Sequence, residues 1–118
     1  MLFRSHGHIV TGHVDVSGEV ISTARSGDTL ILQMRFPKDF SKYIWRKGSI
    51  CVNGVSLTVN EAAFENFDVC LIPETLKRTN LGDLESGDRV NLEMDAFARA
   101  FVHQQRQENR PEGRTLWP

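Results

Sequence analysis

Few groups in this sequence could do chemistry, and their spacing narrows what that chemistry could be. His6, His8 and His13 stand near the start, Cys51 and Cys70 lie further on, and residues 55–61 alternate apolar Val55, Leu57 and Val59 with polar Ser56, Thr58 and Asn60. Period-two alternation places Ser56 and Thr58 on one face of a strand as two small hydroxyls, each able to donate and to accept. No Ser-His-Asp grouping accompanies them, so they would orient a bound molecule rather than attack it. Imidazole in general titrates near neutral pH, which makes His13 the best local candidate for moving a proton. Joint metal binding by the histidines is disfavoured, because His8 and His13 are five residues apart and would face opposite sides of a straight strand. Neither cysteine sits at a zinc-ligand spacing either, so no metal site is expected. The thiols read as small core or slot-lining groups, and Lys47 on its own reads as a solvated loop lysine.

The elements that must position these groups are mostly strands. Leu30, Leu32 and Met34 share a face opposite Ile31, Gln33 and Arg35, and Phe67, Val69 and Leu71 lie opposite Asp68, Cys70 and Ile72. Val90, Leu92 and Met94 repeat the pattern, while residues 8–14 and 19–24 are less regular candidates. Asn53-Gly54 sits between two strand-like runs and predicts a tight hairpin with a mirror-image turn. Residues 37–44 break the alternation as a short helix or crossover, and residues 73–81 read as one short helix closed by Gly82. Asp95 caps a helix over residues 96–110 with Phe97, Ala98, Phe101 and Val102 as its apolar stripe, and residues 111–118 form a mobile tail. Many short antiparallel strands in a small chain favour closure, which removes exposed edges. The expected fold is therefore all-β: a six-stranded antiparallel Greek-key closed barrel over residues 1–95, with short helices and a C-terminal helix.

Composition sets limits on function. The 118 residues carry 14 Lys plus Arg against 15 Asp plus Glu, a formal net charge of −1, so no basic field exists to attract nucleic acid. No apolar run approaches the roughly 20 residues that span a bilayer, and no secretory leader pattern opens the sequence. Two cysteines make no disulfide framework, so the cytoplasm is the expected compartment.

An ordered set of short motifs then narrows the reading. Gly7-His8-Ile9-Val10-Thr11-Gly12-His13-Val14, Lys47-Gly48-Ser49-Ile50, Asn53-Gly54-Val55-Ser56-Leu57-Thr58-Val59, Leu71-Ile72-Pro73-Glu74-Thr75-Leu76, Thr79-Asn80-Leu81-Gly82 and Gly87-Asp88-Arg89-Val90-Asn91-Leu92-Glu93 follow one another. Together they resemble the riboflavin synthase family, whose unit is a lumazine-binding barrel. Family enzymes resemble two such barrels in tandem followed by a trimerising helix. This sequence holds one motif set, and Ser56, where the first barrel typically has cysteine, makes it resemble the second, C-terminal barrel. It is similar either to an isolated C-terminal half or to a single-barrel relative.

The resemblance implies binding of 6,7-dimethyl-8-ribityllumazine, two copies of which react by four-carbon transfer to give riboflavin and a pyrimidinedione without metal or organic cofactor. The family's binding positions fall on Gly12, His13, Val14, Ser56, Leu57, Thr58, Cys70, Leu71, Ile72, Pro73, Glu74 and Thr75. Lys47 matches a lysine that reaches a ligand held by a neighbouring barrel. His13 and Ser56 are the candidate catalytic residues. A flat, polar-rimmed pteridine suits small hydroxyls at its edge and Ile72 against a ring face, with Thr75 opening the helix after Pro73 where unpaired backbone N–H groups gather. The implied partners are the pteridine or flavin and a second barrel, in a homo-oligomer (dimer or trimer). A non-catalytic lumazine or flavin carrier is the alternative function.

Overall fold

The computed structural model describes the backbone of residues 3–5, 8–10 and 13–108, and the side chains of residues 13–107. The strands β1 (Phe3–Ser5) and β2 (His8–Val10) pair only with each other. The strands β3 (Val16–Ser26), β4 (Thr29–Arg35), β5 (Ser49–Val52), β6 (Val55–Ala62), β7 (Asn66–Leu71) and β8 (Arg89–Met94) form a closed barrel in the order β3-β4-β7-β6-β5-β8. Every pairing is antiparallel, and β7 returns beside β4 over the β5–β6 hairpin, as in a Greek key. Pairing of β3 with β8, from Val16 opposite Leu92 to Glu19 opposite Arg89, closes the ring. The six barrel strands therefore have no edge strand among them.

The lumen is filled from every strand. Leu30, Leu32 and Met34 of β4, Leu57 and Val59 of β6, Phe67, Val69 and Leu71 of β7, and Val90, Leu92 and Met94 of β8 are buried there with Val20. These are the faces that the alternation predicts. The β5–β6 turn also takes the expected form, with Asn53 at φ 49° and Gly54 at φ 84°. Asn53 is further anchored because its backbone N–H donates to Asn91 O at 2.8 Å, while its side-chain oxygen accepts from the Asn91 N–H at 2.8 Å.

The structure corrects two boundaries. Within residues 8–14, the described strand is β2, which pairs with β1 and not with the barrel, and residues 13 and 14 are not in a strand. The Asp15 N–H donates to Leu92 O at 2.9 Å and its carboxylate accepts from the Met94 N–H at 2.6 Å, so a side chain takes the donor and the β3 ladder opens only at Val16. Asp15 also pairs with Arg99. The second break in alternation is a helix α1 (Pro73–Arg78) that ends well before Gly82. Thr79 stops it: its hydroxyl donates to Thr75 O at 2.9 Å and accepts from the Leu81 N–H at 3.3 Å. Gly82 lies instead inside a separate 3-10 turn, Leu81–Asp83. Lys38–Tyr43, after Pro37, is a short 3-10 helix, in keeping with the short helix or crossover expected over residues 37–44.

The last described element is α2 (Ala96–Glu108), opened by the Asp95 carboxylate accepting from the Ala98 N–H at 3.2 Å. Its apolar stripe divides. Ala98 and Val102 are buried, whereas Phe97 is 82% and Phe101 52% exposed. Phe101 meets Trp45 edge-on, with ring centroids 6.1 Å apart. The tail expected over residues 111–118 lies outside the described residues.

Gly18 marks where three strands crowd. A Cβ there would come within 2.8 Å of Leu92 Cδ1 and 2.9 Å of the Arg35 carbonyl oxygen. Gly18→Ala is expected to destabilise the barrel by about 1–3 kcal/mol, the usual penalty of overpacking. Urea denaturation measures it; an unchanged midpoint would contradict the packing of β3 between β4 and β8.

Candidate ligand-binding site

β6 is the floor of the site because it has a paired strand on each flank, β5 on one side and β7 on the other. Its outward residues Thr58 and Asn60 are exposed between those two walls. On the β7 side, Cys70 and Ile72 also point outward, and Pro73 then starts α1 and carries Thr75 over the floor. On the β5 side the chain approaches through a tight turn, in which the Gly48 N–H donates to Trp45 O at 2.9 Å. Mutual backbone bonds at 2.8 Å, Lys47 N–H to Val59 O and Val59 N–H to Gly48 O, continue the ladder and fix that turn beside β6. Lys47 is held at φ 68°, in the left-handed region that few non-glycine residues occupy.

Between these walls lies an open cleft of about 430 Å³, lined by Arg46, Lys47, Leu57, Thr58, Val59, Asn60, Cys70, Ile72 and Thr75. That volume is within the ordinary range for small-molecule sites. Ile72, 47% exposed, is an apolar side chain left facing the opening. Asn60 donates to Asp68 at 2.8 Å, and Arg46 pairs with Glu61 at 3.4 Å. The Cys70 thiol is pushed above its ordinary range, chiefly by desolvation and secondarily by the Asp68 carboxylate.

Ser56 departs from the sequence reading. It alternates with Val55 and Leu57 and so faces away from the lumen, yet it is fully buried instead of presenting a free hydroxyl to solvent. Its Oγ finds no hydrogen-bond partner among the described residues. The amino-terminal hairpin β1–β2 runs against β6. Across the ladder Ser56 stands opposite Cys51, and Cys51 opposite Glu93, making a buried row on the outside of the barrel. The Cys51 thiol is pushed up to about 11 by burial, with the Glu93 carboxylate adding to it and a backbone bond from Gly54 opposing it.

The predicted residues therefore separate. Lys47, Leu57, Thr58, Cys70, Ile72 and Thr75 line one cleft, whereas Val14 borders a smaller hollow of about 230 Å³ with Cys51, Asn53, Gly54, Asn91 and Glu93. His13 is exposed and lines neither. Leu71 belongs to the core, Pro73 is exposed, and Glu74 is occupied by an ion pair with Arg78 at 2.8 Å. Gly12 lies outside the described residues. Arg46, Val59 and Asn60 were absent from the sequence expectation, although Asn60 continues the Ser56–Thr58 face and Arg46 precedes Lys47. Among the described residues no group of three or more His, Cys, Asp or Glu side chains could hold a metal ion. No described helix is long and apolar enough to cross a membrane.

The family model for the lumazine binding domain matches residues 11–95, which include every barrel strand and the whole cleft. The chain belongs to the lumazine-binding domain family. It is 43% identical to the riboflavin synthase of Photobacterium phosphoreum over 96 residues, which is 81% of this chain and 44% of that protein. It is 41% identical to the riboflavin synthase of Brucella abortus over 93 residues, 79% of this chain and 46% of the relative. The chain thus spans about half the length of these relatives. Among solved structures it is similar to LumP complexed with 6,7-dimethyl-8-(1'-D-ribityl) lumazine, with a TM-score of 0.71 and 27% identity over 78% of this chain and 52% of that one.

The two thiols of this lumazine-binding domain should behave differently. Iodoacetamide at pH 8 is expected to modify exposed Cys70 and to leave Cys51 untouched until the chain unfolds, as read by mass spectrometry of each peptide. Folded Cys51 keeps its proton to about pH 11, against 9.0 for a free thiol, so its share of stability is full below 9.0 and is lost as pH rises through 11. The urea midpoint should therefore fall less steeply over that window in Cys51→Ala than in the parent chain.

Proposed function

We propose that the cleft over β6 binds 6,7-dimethyl-8-ribityllumazine and the related flavins, and that the chain contributes to riboflavin formation by four-carbon transfer between two such rings. One observation carries this reading: six residues named from the sequence, from four separate segments, line a single cleft of small-molecule size. Membership of the lumazine-binding family and the likeness to riboflavin synthases support it. So do the LumP structures, complexed with riboflavin, flavin mononucleotide and the lumazine.

In this reading Thr58 and Asn60 bond the polar edge of the ring, Ile72 covers a ring face, and Thr75 meets a carbonyl or a ribityl hydroxyl. Ser56 is the unpartnered hydroxyl one step along the same face of β6. The ring anion formed at the 7-methyl group is delocalised, so holding donor and acceptor rings together supplies much of the acceleration as proximity. The second ring comes from another barrel, in a second copy or a longer chain. His13, exposed and away from this cleft, would move a proton only for a ligand held by such a neighbour. The barrel over residues 1–95 is then the binding unit and residues 96–110 its accessory helix, working in the cytoplasm.

A second reading is a lumazine or flavin carrier that binds without turnover, supported by the likeness to LumP in complex with these ligands. Titration of the lumazine and riboflavin followed by fluorescence tests the common core of both. Saturable one-to-one binding is expected, weakened about tenfold or more in Thr58→Tyr, which fills the floor with an aromatic ring, while the melting temperature stays unchanged. Absence of binding by the parent chain refutes both readings. Riboflavin production well below that of a two-barrel enzyme is expected, and comparable turnover would overturn the need for a second barrel.

A further inference from the structure

We propose that Asp68 is a positioning residue for ring recognition: it turns the Asn60 side chain so that the amide oxygen is left to accept from the ring N–H of a lumazine or flavin in the cleft. The inference rests on the binding role of the cleft given above and names what reads the imide edge of the ring there.

A break in the ladder puts Asn60 in place. Val59 stands opposite Val69 and Glu61 opposite Asp68, so Asn60 stands opposite no residue of β7 and is the extra residue of a bulge. Without the bulge, period-two alternation would turn Glu61 inward. Instead Asn60 and Glu61 are exposed in succession, and Ala62 resumes contact with the core. Bulges re-aim side chains, and this one lies on the floor of the cleft.

The same break sets two carboxylates, Glu61 and Asp68, directly across from one another. Opposed like charges weaken a sheet, so the stability of the ladder does not account for them. Each is taken up by a polar residue of the cleft: Arg46 pairs with Glu61 at 3.4 Å, and Asn60 Nδ2 donates to Asp68 Oδ1 at 2.8 Å. On its other flank Asp68 stands opposite Gln33, whose amide is engaged with Ser22 and Asn66. Asp68 does not line the cleft itself and so acts through Asn60.

Hydrogen-bond chemistry fixes the sense of the amide. A carboxylate only accepts, whereas a primary amide has a donating end and an accepting end. Asn60 must therefore direct its NH2 group to Asp68, because a half-turn would set oxygen against oxygen. Its accepting end is ordered before any ligand arrives, so binding does not have to order it. The dimethyllumazine and isoalloxazine rings each carry a single ring N–H, at N3 between two carbonyls, and that group requires an acceptor. Thr58, two residues earlier on the same face, has a hydroxyl able to donate to a neighbouring carbonyl.

Fluorescence titration with 6,7-dimethyl-8-ribityllumazine, and NMR of the same compound isotopically labelled at N3, test this. In the parent complex the N3 proton is expected to be protected from exchange with water and to show a nuclear Overhauser contact to Asn60. Asp68→Asn can offer its own NH2 to the Asn60 oxygen and lets that amide turn over. Affinity should then fall about tenfold, the scale of one hydrogen bond, and the N3 protection should be lost. Asn60→Asp, which sets two carboxylates together, should lose as much. Combining the two substitutions restores a donor–acceptor pair with an oxygen to spare on the floor, and affinity should return to within about threefold of the parent. Unchanged affinity and N3 protection in Asp68→Asn, or a double variant no better than the single ones, would overturn the proposal while leaving the cleft as the binding site. Should Asp68→Asn fail to fold, an N3 proton that exchanges freely in the parent complex overturns it equally. Failure of the parent chain to bind the lumazine would instead remove the site itself, and this proposal with it.

Discussion

The pairing of β6 on both flanks governs the rest of this molecule. β5 pairs with Val55–Thr58 and β7 with Val59–Ala62, so β6 is held from both sides and its outward face offers side chains against a fixed surface. Closure through β3 and β8 removes the two edges that an open sheet in this strand order would keep. A ligand surface of this kind needs no loop to fold over it. Its shape is set by what the neighbouring strands carry at their ends, namely a tight turn before β5 and a short helix after β7.

Two different physical signals made the fold readable from the residues. Alternation gave the strand faces: Leu30, Leu32 and Met34, or Phe67, Val69 and Leu71, are buried because a half-buried strand must separate its faces every second residue. Turn chemistry gave the β5–β6 hairpin, since Asn53 and Gly54 both take positive φ. Where the reading failed, a side chain had bonded to the backbone in place of a neighbouring strand or helical turn. Asp15 does so at the start of β3, and Thr79 does so at the end of α1. Such bonds depend on a residue distant in the chain or on a single rotamer, and periodicity carries no trace of them.

The cleft was legible in a similar, partial way. Thr58, Cys70, Ile72 and Thr75 could be named because strand alternation and a motif match pointed to them, and one cleft contains all four. The burial of Ser56 was not legible, because alternation places the hydroxyl outward and says nothing of what packs over that face. Arg46 was missed for a plainer reason: a charged residue in a loop resembles any solvated side chain until the fold shows which wall it stands in.

The contact between Trp45 and Phe101 has a consequence for how this domain could be divided. The indole begins the turn that carries Arg46 and Lys47, a Cβ on Gly48 would touch its nitrogen at 2.9 Å, and its other edge leans on α2. The terminal helix therefore braces one bank of the cleft from behind, although none of its own residues lines the opening. Trimming the chain at the end of the last barrel strand would preserve each lining side chain and remove the strut beneath two of them. The smallest piece that keeps its recognition surface intact is accordingly longer than the smallest piece that closes a barrel.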